Sequence, residues 1–157
     1  MKIYVLNIGR TVEPYLKEGL SLYEKRIVRY VPFEMIYLPE PRGSRNLPEK
    51  ILKEQEGKVI LSALEQIDHP VLLDERGRQL SSSGFSDYLQ EAMNRGIKNM
   101  GFIIGGPYGF SGEVYRMVPD RISLSGMTFP HQLVRLLFLE QLYRGFTIIR
   151  REPYHHS

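Results

Sequence analysis

The sequence predicts an α/β protein with a mainly parallel sheet covered by helices on both faces. Three observations carry this. Short apolar runs of strand length alternate with longer segments whose apolar residues recur at spacings of three and four. Two of the runs, Met100 to Ile104 and Arg121 to Leu124, open into loops of small residues that lead on into helices. The chain of 157 residues has the size of one compact unit, taken as a single domain over 1–157, with no internal repeat, low-complexity tract or long linker.

Ile3 to Ile8 reads as a buried first strand. Val12, Leu16, Leu20, Tyr23, Ile27 and Tyr30 then form one apolar helical stripe. Phe33 to Leu38, bounded by Pro32 and Pro39, is the second strand, and residues 41–46 form a loop expected to be mobile. Pro48 suits a first helical turn, and the helix it opens runs to about Leu64. Pro70 to Leu73 is a short third strand. Ser81 to Ser83 offer caps to a helix that stops at Gly96. After the fourth strand, Ser111 can cap a short helix through Met117, and the fifth strand follows. From Pro130 the chain reads as helix to about Arg150.

That last helix carries Leu133, Val134, Leu136, Leu137, Phe138, Leu139, Leu142, Tyr143 and Phe146, which leave almost no polar face. Such a helix is buried on two sides, either at the centre of one subunit or against a second copy. The homodimer is the preferred reading.

Composition sets limits on function. The absence of Cys excludes disulfides, thiol nucleophiles and Cys-based zinc sites, and four His without clustered carboxylates argue against any metal. No segment approaches the ~20 apolar residues of a membrane span, and no secretory signal pattern is present, so a cytoplasmic location is expected. The net charge of +3 permits a polyanionic partner, and Arg outnumbers Lys by 14 to 7, which favours bidentate contacts to phosphate.

The loop Gly105-Gly106-Pro107-Tyr108-Gly109 is neither a dinucleotide fingerprint nor a phosphate-binding P-loop, and no nucleophile elbow occurs. With Ser125-Gly126-Met127-Thr128-Phe129, it forms a second side-chain-poor exit from a strand end. Two such exits make a pocket in which a flat polar ligand can lie against main-chain N–H and C=O groups. His131, at a helix start, is a candidate neutral base. The tail combines Arg135, Arg144, Arg150 and Arg151 with Tyr154 and His155, a combination suited to RNA contact. A frayed terminus is the alternative for this tail.

Taken together, Ile103 to Gly109, Leu124 to Gln132, Arg135, Glu140 to Arg144 and Pro153-Tyr154-His155 resemble one family over essentially the whole chain. It is the RlmH family, the ribosomal RNA large subunit methyltransferase H proteins of the SPOUT class. The resemblance implies a C-terminal trefoil knot and an obligate homodimer. It implies S-adenosylmethionine as methyl donor and N3 of a pseudouridine in 23S rRNA of assembled ribosomes as acceptor. Carried over by motif, Leu73, Gly105, Leu124, Ser125, Gly126, Met127, Thr128 and Phe129 would bind the cofactor. His131, Tyr154, His155 and Arg144 are the catalytic candidates, and Arg135, Arg150 and Arg151 would hold RNA phosphates. Two positions depart from the pattern: His156 stands where some relatives carry Arg, and Gly126 where many carry a larger residue. A non-catalytic RNA- or ribosome-binding module on the same fold is the competing expectation.

Overall fold

The computed structural model describes residues 1–156; Ser157, the last residue of the expected domain, lies outside them. Five strands, β1 (Lys2–Ile8), β2 (Phe33–Leu38), β3 (His69–Gln79), β4 (Asn99–Ile104) and β5 (Arg121–Ser123), pair in parallel in the order β2-β1-β4-β3-β5. The helices are α1 (Pro14–Ile27), α2 (Glu49–Ala63), α3 (Ser82–Asn94), α4 (Gly112–Met117) and α5 (His131–Ile149).

Alternate strand residues point to opposite faces and feed two cores. Ile3, Val5, Met100, Phe102 and Ile104 pack with Leu20 and Ile27 of α1, Phe85 and Leu89 of α3, and Phe138, Leu139 and Leu142 of α5. Tyr4, Leu6, Ile8, Leu72 and Ile103 pack with Ile60 of α2 and Val114 of α4. Serine side chains start two of the helices. Ser81 Oγ accepts from Gly84 N at 3.0 Å, and Ser111 Oγ accepts from Val114 N at 3.3 Å.

Three features differ from expectation. The third strand is not short: β3 runs eleven residues, with a register shift between Leu73 and Arg78, and rejoins β5 through Arg78 and Gln79. Gly77 sits at that irregularity because a Cβ there would lie 2.7 Å from the backbone of Arg121 and Ile122. Second, Val12 and Tyr30 fall outside α1, and Val12 is 64% exposed. Third, the girth of α5 is largely accounted for within one subunit. The helix packs between α1 and α3 on the sheet, and no residue from His131 to Ile149 is exposed. No helix is long and apolar enough to cross a membrane among the described residues.

Candidate functional site

The site lies where parallel strands end. Leu73, at the bend of β3, Gly105, just after β4, and the segment after β5 meet there, as expected for ligand sites in open α/β sheets. A recess of about 290 Å³ is lined by Leu73, Asp74, the turn 104–110, Thr128, Phe129 and His131. A smaller one of about 70 Å³ shares Leu73 and Phe129 and adds Leu124, Ser125 and Met127. Seven of the eight cofactor candidates line this continuous cleft, and Gly126 lies between two of them in the chain.

The wall from 124 to 129 is shaped by serines. Ser123 Oγ donates to the Ser125 carbonyl at 2.9 Å, and Ser125 Oγ accepts from Met127 N at 2.9 Å. Among the described residues, the main-chain groups of Gly126, Thr128 and Phe129 make no hydrogen bond. Met127 is 74% exposed at the rim, while Leu124 and Phe129 are half-buried. The opposite wall needs its glycines. A Cβ on Gly105 would lie 3.1 Å from the Phe110 ring, and Gly109 has φ of 82°, a left-handed value that suits glycine. Asp74 accepts from the Tyr115 hydroxyl and, at 2.9 Å, from Arg76 N, so its carboxylate is fixed at the cleft edge. Burial, followed by the bond to Asp74, pushes the Tyr115 phenol up to about 12.

His131 begins α5 and faces the same cleft. Burial, followed by the nearby positive charge of Arg135, lowers its pKa, so the imidazole is neutral at pH 7.

The tail forms a second cluster. It is not frayed: Arg151, with φ of 57°, turns the chain back, and Glu152 N donates to the Thr147 carbonyl at 2.9 Å. Glu140 is the hub. Its Oε1 accepts from Arg144 Nε at 3.1 Å and from the Tyr154 hydroxyl at 3.1 Å. Arg144 Nη1 donates to His155 Nδ1 at 3.2 Å, which makes Nδ1 the acceptor nitrogen of this contact. The Arg144 guanidinium lies 4.8 Å from the centre of the Tyr154 ring. Burial, then hydrogen bonding to Tyr23 and Glu140, pushes the Tyr154 pKa up, so it is a neutral phenol and a hydrogen-bond donor. Arg150 and Arg151 stay exposed beside it.

The four catalytic candidates do not meet within one chain. His131 and Arg144 are thirteen residues apart on α5, roughly 20 Å along a helix axis.

Arg135 corrects the expectation of a phosphate contact. It is 0% exposed, donating to the Ile8 carbonyl at 2.7 Å and to Thr11 Oγ1 at 3.0 Å. Its guanidinium ties α5 to the end of β1 and has no surface to offer a phosphate. Spacing carries the signal: Arg135, Phe138, Leu139 and Leu142 share one helical stripe.

Three things escaped the sequence reading. A cavity of about 490 Å³ lies behind the 123–129 segment between α3 and α5, lined by Leu80, Phe85, Leu137 and Gln141. It connects to the tail cluster: Ser82 Oγ donates to Gln141 Oε1 at 2.7 Å, and Gln141 Nε2 donates to Glu140 Oε2 at 2.8 Å. The second is the role of Glu140 as hub, and the third is Glu56, buried on α2. Among the described residues no group of three or more His, Asp or Glu side chains could hold a metal ion.

The chain matches, over residues 1–155, a family model described as a predicted SPOUT methyltransferase. It is 49% identical over 156 residues to the ribosomal RNA large subunit methyltransferase H of Christiangramia forsetii, spanning 99% of each chain. The protein of the same description from Flavobacterium johnsoniae is 49% identical over 157 residues, spanning 100% of both. Solved structures resemble the fold. A protein from Bordetella pertussis described as a probable methyltransferase superposes with a TM-score of 0.58 at 9% identity, covering 92% of this chain and 93% of its own. The tRNA (m1G37) methyltransferase of Aquifex aeolicus gives 0.54 at 16% identity, covering 100% and 75%. At these identities the two structures speak for the fold alone.

Proposed function

The chain belongs to the SPOUT methyltransferase family, among the ribosomal RNA large subunit methyltransferase H proteins, and we propose that it methylates N3 of a pseudouridine in 23S rRNA using S-adenosylmethionine. The observation that carries this is the convergence of Leu73, Gly105 and the 124–129 segment on one cleft at the strand ends.

The residues present fit that cofactor. A Cβ on Gly105 would press on the Phe110 ring at 3.1 Å, so the glycine keeps main chain itself as one wall. The opposite wall offers unused main-chain groups for the adenine edges, with Leu73, Leu124 and Phe129 as apolar faces. Bound S-adenosylmethionine supplies an electrophilic methyl group. The protein contributes orientation, which can be worth ~7–11 kcal/mol of a displacement barrier. His131, neutral and in the cleft, can accept the imide proton; His155 could do so only after Arg144 Nη1 releases its Nδ1. Tyr154 positions Glu140 and Arg144 by donating its hydroxyl, and takes no proton. Arg144 can neutralise the anionic nucleobase, and Arg150 and Arg151 can hold phosphates.

We infer a homodimer, and the separation of these groups supports it. A second copy can bring its tail to the cleft that the first copy's tail cannot reach. An apolar patch supports the docking: Val12 and Tyr15, 64% and 62% exposed, border a recess shared with Leu16, Leu133 and His131 itself. The trefoil knot is supported by topology. β5 lies outside β3, yet α5 lies beyond α3, between it and α1. In our reading, residues 124–130 pass through the β3–α3 connection, whose Leu80 and Ser81 border the same cavity as Leu124 and Ser125. The domain spans 1–157 and acts on assembled ribosomes in the cytoplasm.

Labelled methyl transfer to ribosomes lacking the modification tests the proposal. Incorporation into 23S rRNA at one pseudouridine is the expected result. Binding of ribosomes and donor without transfer would favour the non-catalytic module.

A further inference from the structure

Behind the turn 105–109 lies a carboxyl group that the reaction has not used. Glu56 is 3% exposed, and its Oε1 has no hydrogen-bond partner. It is aimed at the turn: a Cβ on Gly106 would lie 2.4 Å from Glu56 Oε2 and 2.8 Å from Oε1. Gly106 lines the cleft. A single residue of main chain therefore separates a buried carboxyl from the space assigned to the methyl donor.

Among the described residues, no cation lies against Glu56. Glu40, after β2, adds its negative charge to the effect of burial, and together they push the carboxyl up to about 7. From α4, Ser111 and Val114 pack on the neighbouring Gly57 and bring no charge. On its own helix, Lys53 is drawn to Glu49 at 3.6 Å. His131 and Arg135 face Glu40. A buried carboxyl without a partner is costly, and a ligand that carries positive charge would offset that cost.

The donor and its product differ in that property. In transfer, the methyl–sulfur bond breaks and its electron pair stays on sulfur. N3, having given its proton to a base, uses its own pair to form the new bond. A sulfonium becomes a neutral thioether, while the adenosine and amino-acid ends are unchanged. Resting on the reading of the cleft given above, we propose that Glu56 sets the preference for the cationic donor over its demethylated product, acting across Gly106 as a negative charge. The reaction erases the charge that Glu56 attracts, which favours product release.

Titration calorimetry with S-adenosylmethionine and S-adenosylhomocysteine, at about pH 6 and about pH 8, tests this. Coupling of about tenfold to a group titrating near 7 raises donor affinity relative to product affinity about fivefold over that range. Glu56→Gln should abolish the slope and lower the donor preference at the higher pH about tenfold. Glu40→Gln, at an exposed position, should move the midpoint of the wild-type slope to lower pH and keeps the test available if Glu56→Gln fails to fold. A flat wild-type ratio, or a slope retained in Glu56→Gln, would overturn the proposal while leaving the cofactor reading intact. Failure of the folded wild type to bind either ligand would overturn both.

Discussion

Replacing Gly105 with Val should empty the cleft of cofactor while leaving the protein folded. A Cβ at this position would lie 3.1 and 3.2 Å from Phe110 ring carbons and 3.4 Å from the Gly109 carbonyl oxygen. Phe110 belongs to the second core and is buried, so it cannot swing aside freely. The two added methyl groups must then press on Phe110 or enter the recess of about 290 Å³. Overpacking of this kind costs about 1–3 kcal/mol of stability, within what a domain of this size tolerates. Affinity for S-adenosylmethionine should fall about a hundredfold, or about 2.8 kcal/mol, because the donor loses close contact with main chain. Calorimetry reads the affinity, and circular dichroism melting with size-exclusion chromatography reads the fold. Gly105→Ala should lie between the two proteins. Wild-type affinity in a folded Gly105→Val protein would refute the placement of the cleft.

Arg144→Ala should reduce methyl transfer to ribosomes at least ~100-fold while donor affinity changes less than about twofold; equal loss of both would assign Arg144 a structural role. Arg135→Ala should lower stability by about 3–4 kcal/mol, since it leaves the Ile8 carbonyl unpaired and opens a cavity, and should leave ribosome affinity per folded molecule unchanged. The Glu56 carboxyl titrates higher in the folded chain than in the unfolded one. Its ionisation therefore opposes folding: no penalty below the unfolded value of 4.5, a growing penalty up to about 7, and the full penalty above. Thermal melts should show Glu56→Gln more stable than wild type by up to about 3 kcal/mol at about pH 8, converging with it near pH 4.

The strands and helices were legible because each face of the sheet packs on a separate core, and burial on both faces writes itself as apolar runs and helical stripes. Ser111 and Gly112–Met117 stand where the capping serine predicts them. The length of β3 was hidden because Asp74 to Gly77 reads as a turn; only contact with β5 brings Arg78 and Gln79 back into the sheet. The cleft was legible because two loops of small residues leave parallel strands at the same end, where open sheets bind ligands. Arg135 was misjudged from its residue type, and its position in the stripe with Phe138 and Leu142 was the better guide. Glu140 looked like an ordinary helical acid. Its role as hub depends on the tail turning back at Arg151, a conformation that local sequence preference disfavours outside glycine. The cavity between α3 and α5 and the aim of Glu56 at Gly106 arise from packing between distant segments, which no local pattern records.

The most direct measurement is a crystal structure of the protein with S-adenosylhomocysteine. The account predicts two copies per assembly, the adenine edge against the main chain of 124–129, the sulfur in the recess beside Gly105, and the second copy's tail closing over it. Ligand found instead in the cavity between α3 and α5, or a cleft that no second copy approaches, would contradict it.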